Sequence, residues 1–305
     1  MKAVDALLSG LVDYAGLFPP ASEGMREALE NYASYRDGDD RSALGRFIVP
    51  ISRLRELEDA SRDLMPRGPG SEPWRLSVLV PEDVRSAGEE MLEFNSRHGP
   101  GSTSGHALID VAELKASDID DIGRQRKELA DFFTAYFEIP IKGNVSSLVK
   151  AIARARARAK VRTGGVTQES IPPAEEVIDF IIACQHELVP FKATAGLHHP
   201  VRGPYRLTYE PVSPVGTMYG FLNVFLASAL LYAGESRKTA IAALEETDLH
   251  AFGFDDDAIV WRDKRITADQ LEATRQFAIS FGSCSFREPI DELRPLTRMA
   301  RSDHK

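Results

Sequence analysis

The sequence predicts a single (β/α)₈ TIM barrel of the α/β class, on three observations. Eight short β-type runs alternate with longer helical stretches, the pattern of a parallel sheet with crossover helices. Several of those runs stop at a glycine or a proline. The chain has 305 residues, 43% of them hydrophobic, and barrels of this class often run to such a length as one domain. The barrel domain is expected over residues 1–293, with a polar tail over 294–305 that frays at the terminus.

The first run is Val12–Phe18, ended by Pro19-Pro20, and a helix is expected around Gly24–Tyr35. The second is Arg46–Val49 before Pro50, followed by a helix through Arg53–Leu64 and a Pro/Gly-rich loop from Pro66 to Pro73. The third is Leu76–Val80, with a helix from about Asp83 to Ser96 and a Gly/Ser loop over Gly99–Gly105. The fourth and fifth are Ala107–Val111 and Ala135–Ile141. Ser146 or Ser147 is the expected cap of the next helix, to about Ala159. Arg154, Arg156 and Arg158 read as its cationic C-terminal end. The sixth run, Ala159–Thr163, closes on Gly164-Gly165, and Pro173–Leu188 reads as an amphipathic helix. The seventh, Phe191–Ala195, closes on Gly196. The apolar segment Tyr219–Ala233 reads as a buried helix, with an oligomer interface left open as its other use. Residues Thr247–Ile266 are less regular and suggest a hairpin from Ala258–Trp261 to Arg265–Thr267. The eighth run, Phe277–Phe281, closes on Gly282.

The net charge of −9 disfavours nucleic acid, whose phosphates need a basic footprint. The most apolar stretch spans about 15 residues, short of the roughly 20 that cross a bilayer. The N-terminus lacks the continuous apolar region of a signal peptide. Cys184 and Cys284 stand far apart and read as reduced thiols of a cytoplasmic protein. The expected partner is a small anionic molecule, with a homo-oligomer open.

Barrel chemistry sits at the C-terminal ends of the strands. The polar residues there are Asp13, Asp110, Glu113, Glu138, Lys142, Lys160, Arg162, Lys192, Thr194, His198, His199, Ser283 and Ser285. Charges are costly in parallel strands, which are usually near-continuous apolar runs. Lys160 and Lys192 are the sharpest cases. A lysine beside a second cation and partly desolvated loses its proton more easily and can attack a carbonyl to form a Schiff base. The plainer reading pairs them with Glu138 or Asp110 as structural ions. Asp110 and Glu138 suit proton shuttling or such pairing. Arg162, two residues after Lys160, shares its face of the strand and could clamp an anion or form a salt bridge. His198, His199 and Arg202 follow the seventh run. A histidine there suits substrate contact or general base work, a metal site shared with Glu138 or Asp110, or a hydrogen-bonded loop. Gly164, Gly165, Gly196 and Gly282 could bring backbone N–H groups to an anion or simply make turns.

The segment Lys160-Val-Arg-Thr163-Gly164 resembles the strand-six motif of the deoxyribose-phosphate aldolase family. Phe191-Lys192-Ala193-Thr194-Ala195-Gly196 resembles its strand-seven motif, and Ile109-Asp110-Val111 is similar to its strand-four segment. The resemblance spans roughly Ala107 to Gly196. It implies a class I aldolase-type barrel in which Lys160 forms the Schiff base, Lys192 depresses its pKa and Asp110 helps move protons, with no cofactor. Thr163, Thr194, Gly282 and Ser283 join the expected substrate contacts. The chain departs from the family at Arg162, where the family has a small hydroxyl residue. It departs again after Gly196, where Leu197-His198-His199-Pro200-Val201-Arg202 replaces a compact glycine-rich turn, so a substrate other than deoxyribose phosphate is expected.

Three functions follow from these residues. The first is a Schiff-base carbon–carbon lyase for a small anionic carbonyl compound. The second is a metal-dependent lyase, hydrolase or isomerase using His198 or His199 with Glu138 and Asp110 around a divalent ion. The third is a non-catalytic binding barrel.

Overall fold

A computed structural model describes residues 1–302 of the chain. Eight parallel strands close into one barrel: β1 (Val12–Tyr14), β2 (Leu44–Pro50), β3 (Trp74–Leu79), β4 (Ala107–Lys115), β5 (Thr134–Glu138), β6 (Arg158–Arg162), β7 (Phe191–Thr194) and β8 (Ala278–Ser283). Closure comes from the chain's two ends, with Val12 opposite Phe281, Asp13 opposite Gly282 and Tyr14 opposite Ser283. The (β/α)₈ class and the order of its eight strands are as the sequence predicts.

Two boundaries differ in ways that matter. β1 stops at Tyr14 because the chain turns at once, the Phe18 N–H bonding the Ala15 carbonyl. β4 runs nine residues, past the expected Val111 to Lys115. Its last residues carry charge, which imitates a strand end in sequence, yet Glu113 and Leu114 are buried.

The helix after β5 is Val145–Arg154 with Asn144, not Ser146 or Ser147, at its N-cap position. It ends at Arg154. Arg156 takes a positive φ in the turn, and Arg158 opens β6, where its guanidinium donates to the Tyr136 hydroxyl. Asp83 caps the helix Val84–His98 by accepting from the Ser86 N–H. The helix Phe221–Tyr232 is core, since every residue from Phe221 to Leu231 is buried. It packs on the helix Arg237–Leu244 and on β8, with the Phe221 ring stacked on Phe281. Apolar residues all round a helix mean that it is covered on all sides.

Three additions dress the barrel. The stretch after β7 contains a hairpin of Gly203–Arg206 and Val215–Met218. The expected hairpin near the C-terminal third is a three-stranded antiparallel sheet of Phe252–Phe254, Ala258–Trp261 and Lys264–Thr267. The last helix, Arg287–Ser302, takes over most of the expected tail. Ile290 and Leu293 are buried and Leu296 is partly so, a three-residue spacing that gives the segment an apolar stripe to dock. Residues 303–305 of that tail lie outside the described residues. Among the described residues no helix is long and apolar enough to cross a membrane.

Asn223 ties the buried helix to its surroundings. Its amide donates to the carbonyls of Ala243 and Glu246, and its oxygen accepts from the Arg202 N–H. Asn223→Ala leaves the Glu246 carbonyl and the Arg202 N–H without partners, so it should cost about 2 kcal/mol. Urea denaturation should show this as a lower midpoint at unchanged slope.

Candidate functional site

The inside of a barrel is usually filled by branched apolar side chains. Here its centre is ionic. Lys192 on β7 donates to Asp13 Oδ2 on β1 (2.7 Å) and to Glu113 Oε1 on β4 (2.6 Å). Lys160 on β6 places Nζ 2.8 Å from Glu113 Oε2 and 2.8 Å from Glu138 Oε2 on β5. Glu113 is therefore shared by both lysines. Ser77 donates to its Oε1 and Ser280 donates to Asp13 Oδ2. The Arg46 N–H reaches the other Asp13 oxygen. Gly45 makes that approach possible, because a methyl group there would collide with the Asp13 carboxylate. The Tyr136 ring lies 5.5 Å from the Lys192 ammonium, close enough for a cation–π contact.

Charge matching governs protonation in this cluster. Burial pushes the Glu113 carboxyl up, but the charges of Lys160 and Lys192 outweigh it and hold it well below the usual range. Glu138 is likewise held low, burial being overcome mainly by Lys160. Burial pulls Lys192 down, yet Asp13 and Glu113 outweigh it and hold the ammonium well above its ordinary value. Lys192 is thus a fixed cation. Lys160 differs from it in position, because it lines a cavity of about 300 Å³ at the C-terminal ends of the strands, whereas Lys192 lies beneath. Glu113 Oε2 has no hydrogen-bond donor directed at it, so its contact with Lys160 is one of charge and not of direction.

The cavity is also lined by Arg162, Gly165, Thr194, Gly196, His198 and Gly282, all expected there, and by Cys284. Arg162 is half-exposed at the rim, with Nε 3.7 Å from Glu138 Oε1. Gly164 and Gly196 let the ends of β6 and β7 meet, since a Cβ on either would stand within 3.1 Å of the other's Cα. Thr163 is buried and spends its hydroxyl on the carbonyls of Thr194 and Ala195. It braces the turn in which Ala195 takes φ 64° and Gly196 φ 78°.

No protein-family model matches the chain, and no curated protein matches it. Among solved structures it is similar to a nitroalkane oxidase from Streptomyces ansochromogenes, at 10% identity and a TM-score of 0.35 over 99% of this chain and 100% of that one. A likeness so distant carries nothing about chemistry, which must come from the side chains themselves.

Several expected site residues stand elsewhere. Asp110 is in the N-terminal half of β4, paired with Arg46 (2.7 Å) and Arg75. The register between β3 and β4 slips beside it, between the pairs Leu76–Ile109 and Ser77–Val111. Burial raises its carboxyl, but Arg46 and then Arg75 hold it low. Glu113, three residues on, is the carboxylate that meets the lysines. His199 pairs with Glu292 (2.8 Å) and stacks on Tyr205. The Arg202 guanidinium lies over the Tyr219 ring. Ser283 lies beneath the lining, its hydroxyl 3.4 Å from His198 Nδ1. His198 belongs with Cys284 and Glu288, so neither histidine joins Glu138 or Asp110 in the arrangement that the metal reading needs. Among the described residues no group of three or more His, Cys, Asp or Glu side chains is set to hold a metal ion.

The cluster sets the acid and alkaline limits of stability. Glu113, held low, contributes stability that is present above roughly pH 4.3 and lost as pH falls through its folded value. Lys192, held high, contributes stability that is present below roughly pH 10.4 and lost as pH rises through its folded value. Urea midpoints should therefore form a plateau between those limits. Lys192→Met, which leaves Asp13 without its cation and Glu113 with Lys160 alone, should lower that plateau by about 3–5 kcal/mol.

Proposed function

We propose that the chain is a Schiff-base-forming lyase of aldolase type, acting on a small anionic carbonyl compound with Lys160 as nucleophile. One observation carries the reading: the Lys160 ammonium lines the strand-end cavity, with carboxylates 2.8 Å away on two sides. A lysine nucleophile must shed a proton before it attacks, and in this reading Glu138, 2.8 Å away, takes it. The amine nitrogen then adds to the carbonyl carbon and the carbonyl oxygen takes up a proton. Loss of water leaves a protonated imine. That imine accepts the electron pair when the neighbouring carbon–carbon bond breaks.

Lys192 acts on this step through Glu113. It holds Oε1 of the carboxylate whose Oε2 stands 2.8 Å from the Lys160 ammonium. Arg162, half-exposed at the rim and loosely paired, takes the substrate's anionic group. The backbone beside Gly165 and Gly196 borders the same space.

The test is reductive trapping. Purified protein is incubated with borohydride and a panel of small aldehydes and keto acids, and added mass is located by peptide mass spectrometry. A stable adduct on Lys160 is expected, absent in Lys160→Ala. Glu138→Gln should slow capture by about 10²-fold while leaving the circular dichroism spectrum unchanged. A Lys160 that stays unmodified across the whole panel removes the reading.

A further inference from the structure

A second set of reactive side chains borders the same cavity. Cys284 follows β8 and His198 follows β7, and both line the space. The Cys284 thiol lies 3.8 Å from His198 Nδ1 and 4.0 Å from its Nε2. Glu288 in the first turn of the last helix sets Oε2 3.3 Å from the same nitrogen, His198 Nδ1. The Tyr209 hydroxyl, from the loop of the hairpin after β7, donates to Glu288 (2.7 Å) and lies 3.7 Å from the sulfur. A thiol and a carboxylate thus meet one imidazole on the cavity wall, and an imidazolium held by the carboxylate is a neighbour that activates a thiol.

We propose that Cys284 and His198 form a second nucleophilic centre, which captures a small anionic carbonyl compound as a thiohemiacetal on the cavity wall. The thiol proton passes to His198. The thiolate sulfur adds to the carbonyl carbon, forming a C–S bond while the C=O π pair moves onto oxygen. His198 returns the proton to that oxygen, so atoms and charge balance with no further reactant. Arg162 on the same lining favours a carbonyl compound that carries a carboxylate. The groups facing His198 are Cys284, Glu288 and the Ser283 hydroxyl, with Tyr209 behind Glu288 and His199 acting on Glu288 at longer range. Burial pulls the imidazole down, but Cys284 and Glu288 outweigh it and bring it up to about 9. The inference goes beyond the Lys160 chemistry and shares with it the cavity and the class of ligand.

The full-length chain is treated with iodoacetamide, and the carbamidomethylation of each cysteine is followed by peptide mass spectrometry. Cys284 should react at least about tenfold faster than free cysteine at pH 6. Cys184 should stay unlabelled, since it is fully buried and burial holds its thiol up. His198→Gln should slow Cys284 by about tenfold and give it the pH profile of an ordinary thiol, and Glu288→Gln should slow it less. Glyoxylate should protect Cys284 saturably, in the wild type and equally in Lys160→Ala. A Cys284 no faster than free cysteine, or indifferent to His198→Gln in a protein with native circular dichroism, overturns the nucleophilic centre. Protection that vanishes in Lys160→Ala overturns the thiohemiacetal, because the carbonyl compound is then held by the lysine. Failure to trap an imine on Lys160 leaves all these outcomes readable.

Discussion

Glu113 divides its two oxygens between two ammonium groups, one beneath the cavity and one lining it. Taking a charge into a barrel costs several kcal/mol unless it is paired and hydrogen-bonded, and this carboxylate lets two lysines and three carboxylates enter together. Ser77 and Ser280 fill remaining acceptor positions with groups small enough to leave room. The apolar layers that fill most barrels are replaced by a lattice in which each ion needs its neighbour. The two lysines are therefore unequal. Lys192 is enclosed by Asp13, Glu113 and the Tyr136 ring, whereas Lys160 borders open space.

Much of this arrangement was legible in the residues. The two-residue period of a strand placed Lys160 with Arg162, and charge in apolar runs marked the right strands. Asp110 misled because a register slip breaks that period in β4. Glu113 was visible as a polar residue near a strand end, yet its partners lie on strands 47 and 79 positions away in sequence. No local pattern encodes such a pairing. Thr163 looked like a substrate contact because a hydroxyl at a strand end suits one, and only the turn geometry at Ala195 shows where that hydroxyl is spent. Cys284 read as an ordinary thiol, since the imidazole beside it comes from the loop after another strand.

The turns at the strand ends are as important as the charges. Ala195 adopts a backbone conformation that costs a side-chain-bearing residue about 1–2 kcal/mol, and the Thr163 hydroxyl holds it there. Gly164 and Gly196 touch backbone to backbone. Together they keep the ends of β6 and β7 near one another, so that Lys160, Arg162 and Thr194 border a single space and not two separate grooves.

Barrel closure through β1 and β8 has a consequence for how the protein is made. Asp13 lies 179 residues from Lys192 and 267 from Ser280, both of which it meets in the finished barrel. Contacts of that span form late, because the entropy of closing the loop precedes any reward. A chain emerging from a ribosome thus carries Asp13 from the start, with no lysine to meet until β7 appears and no second strand to lie on until β8 does. The ionic centre is assembled at the end of synthesis, and a chain cut short before Ser283 would expose its charges to water and hold no site at all.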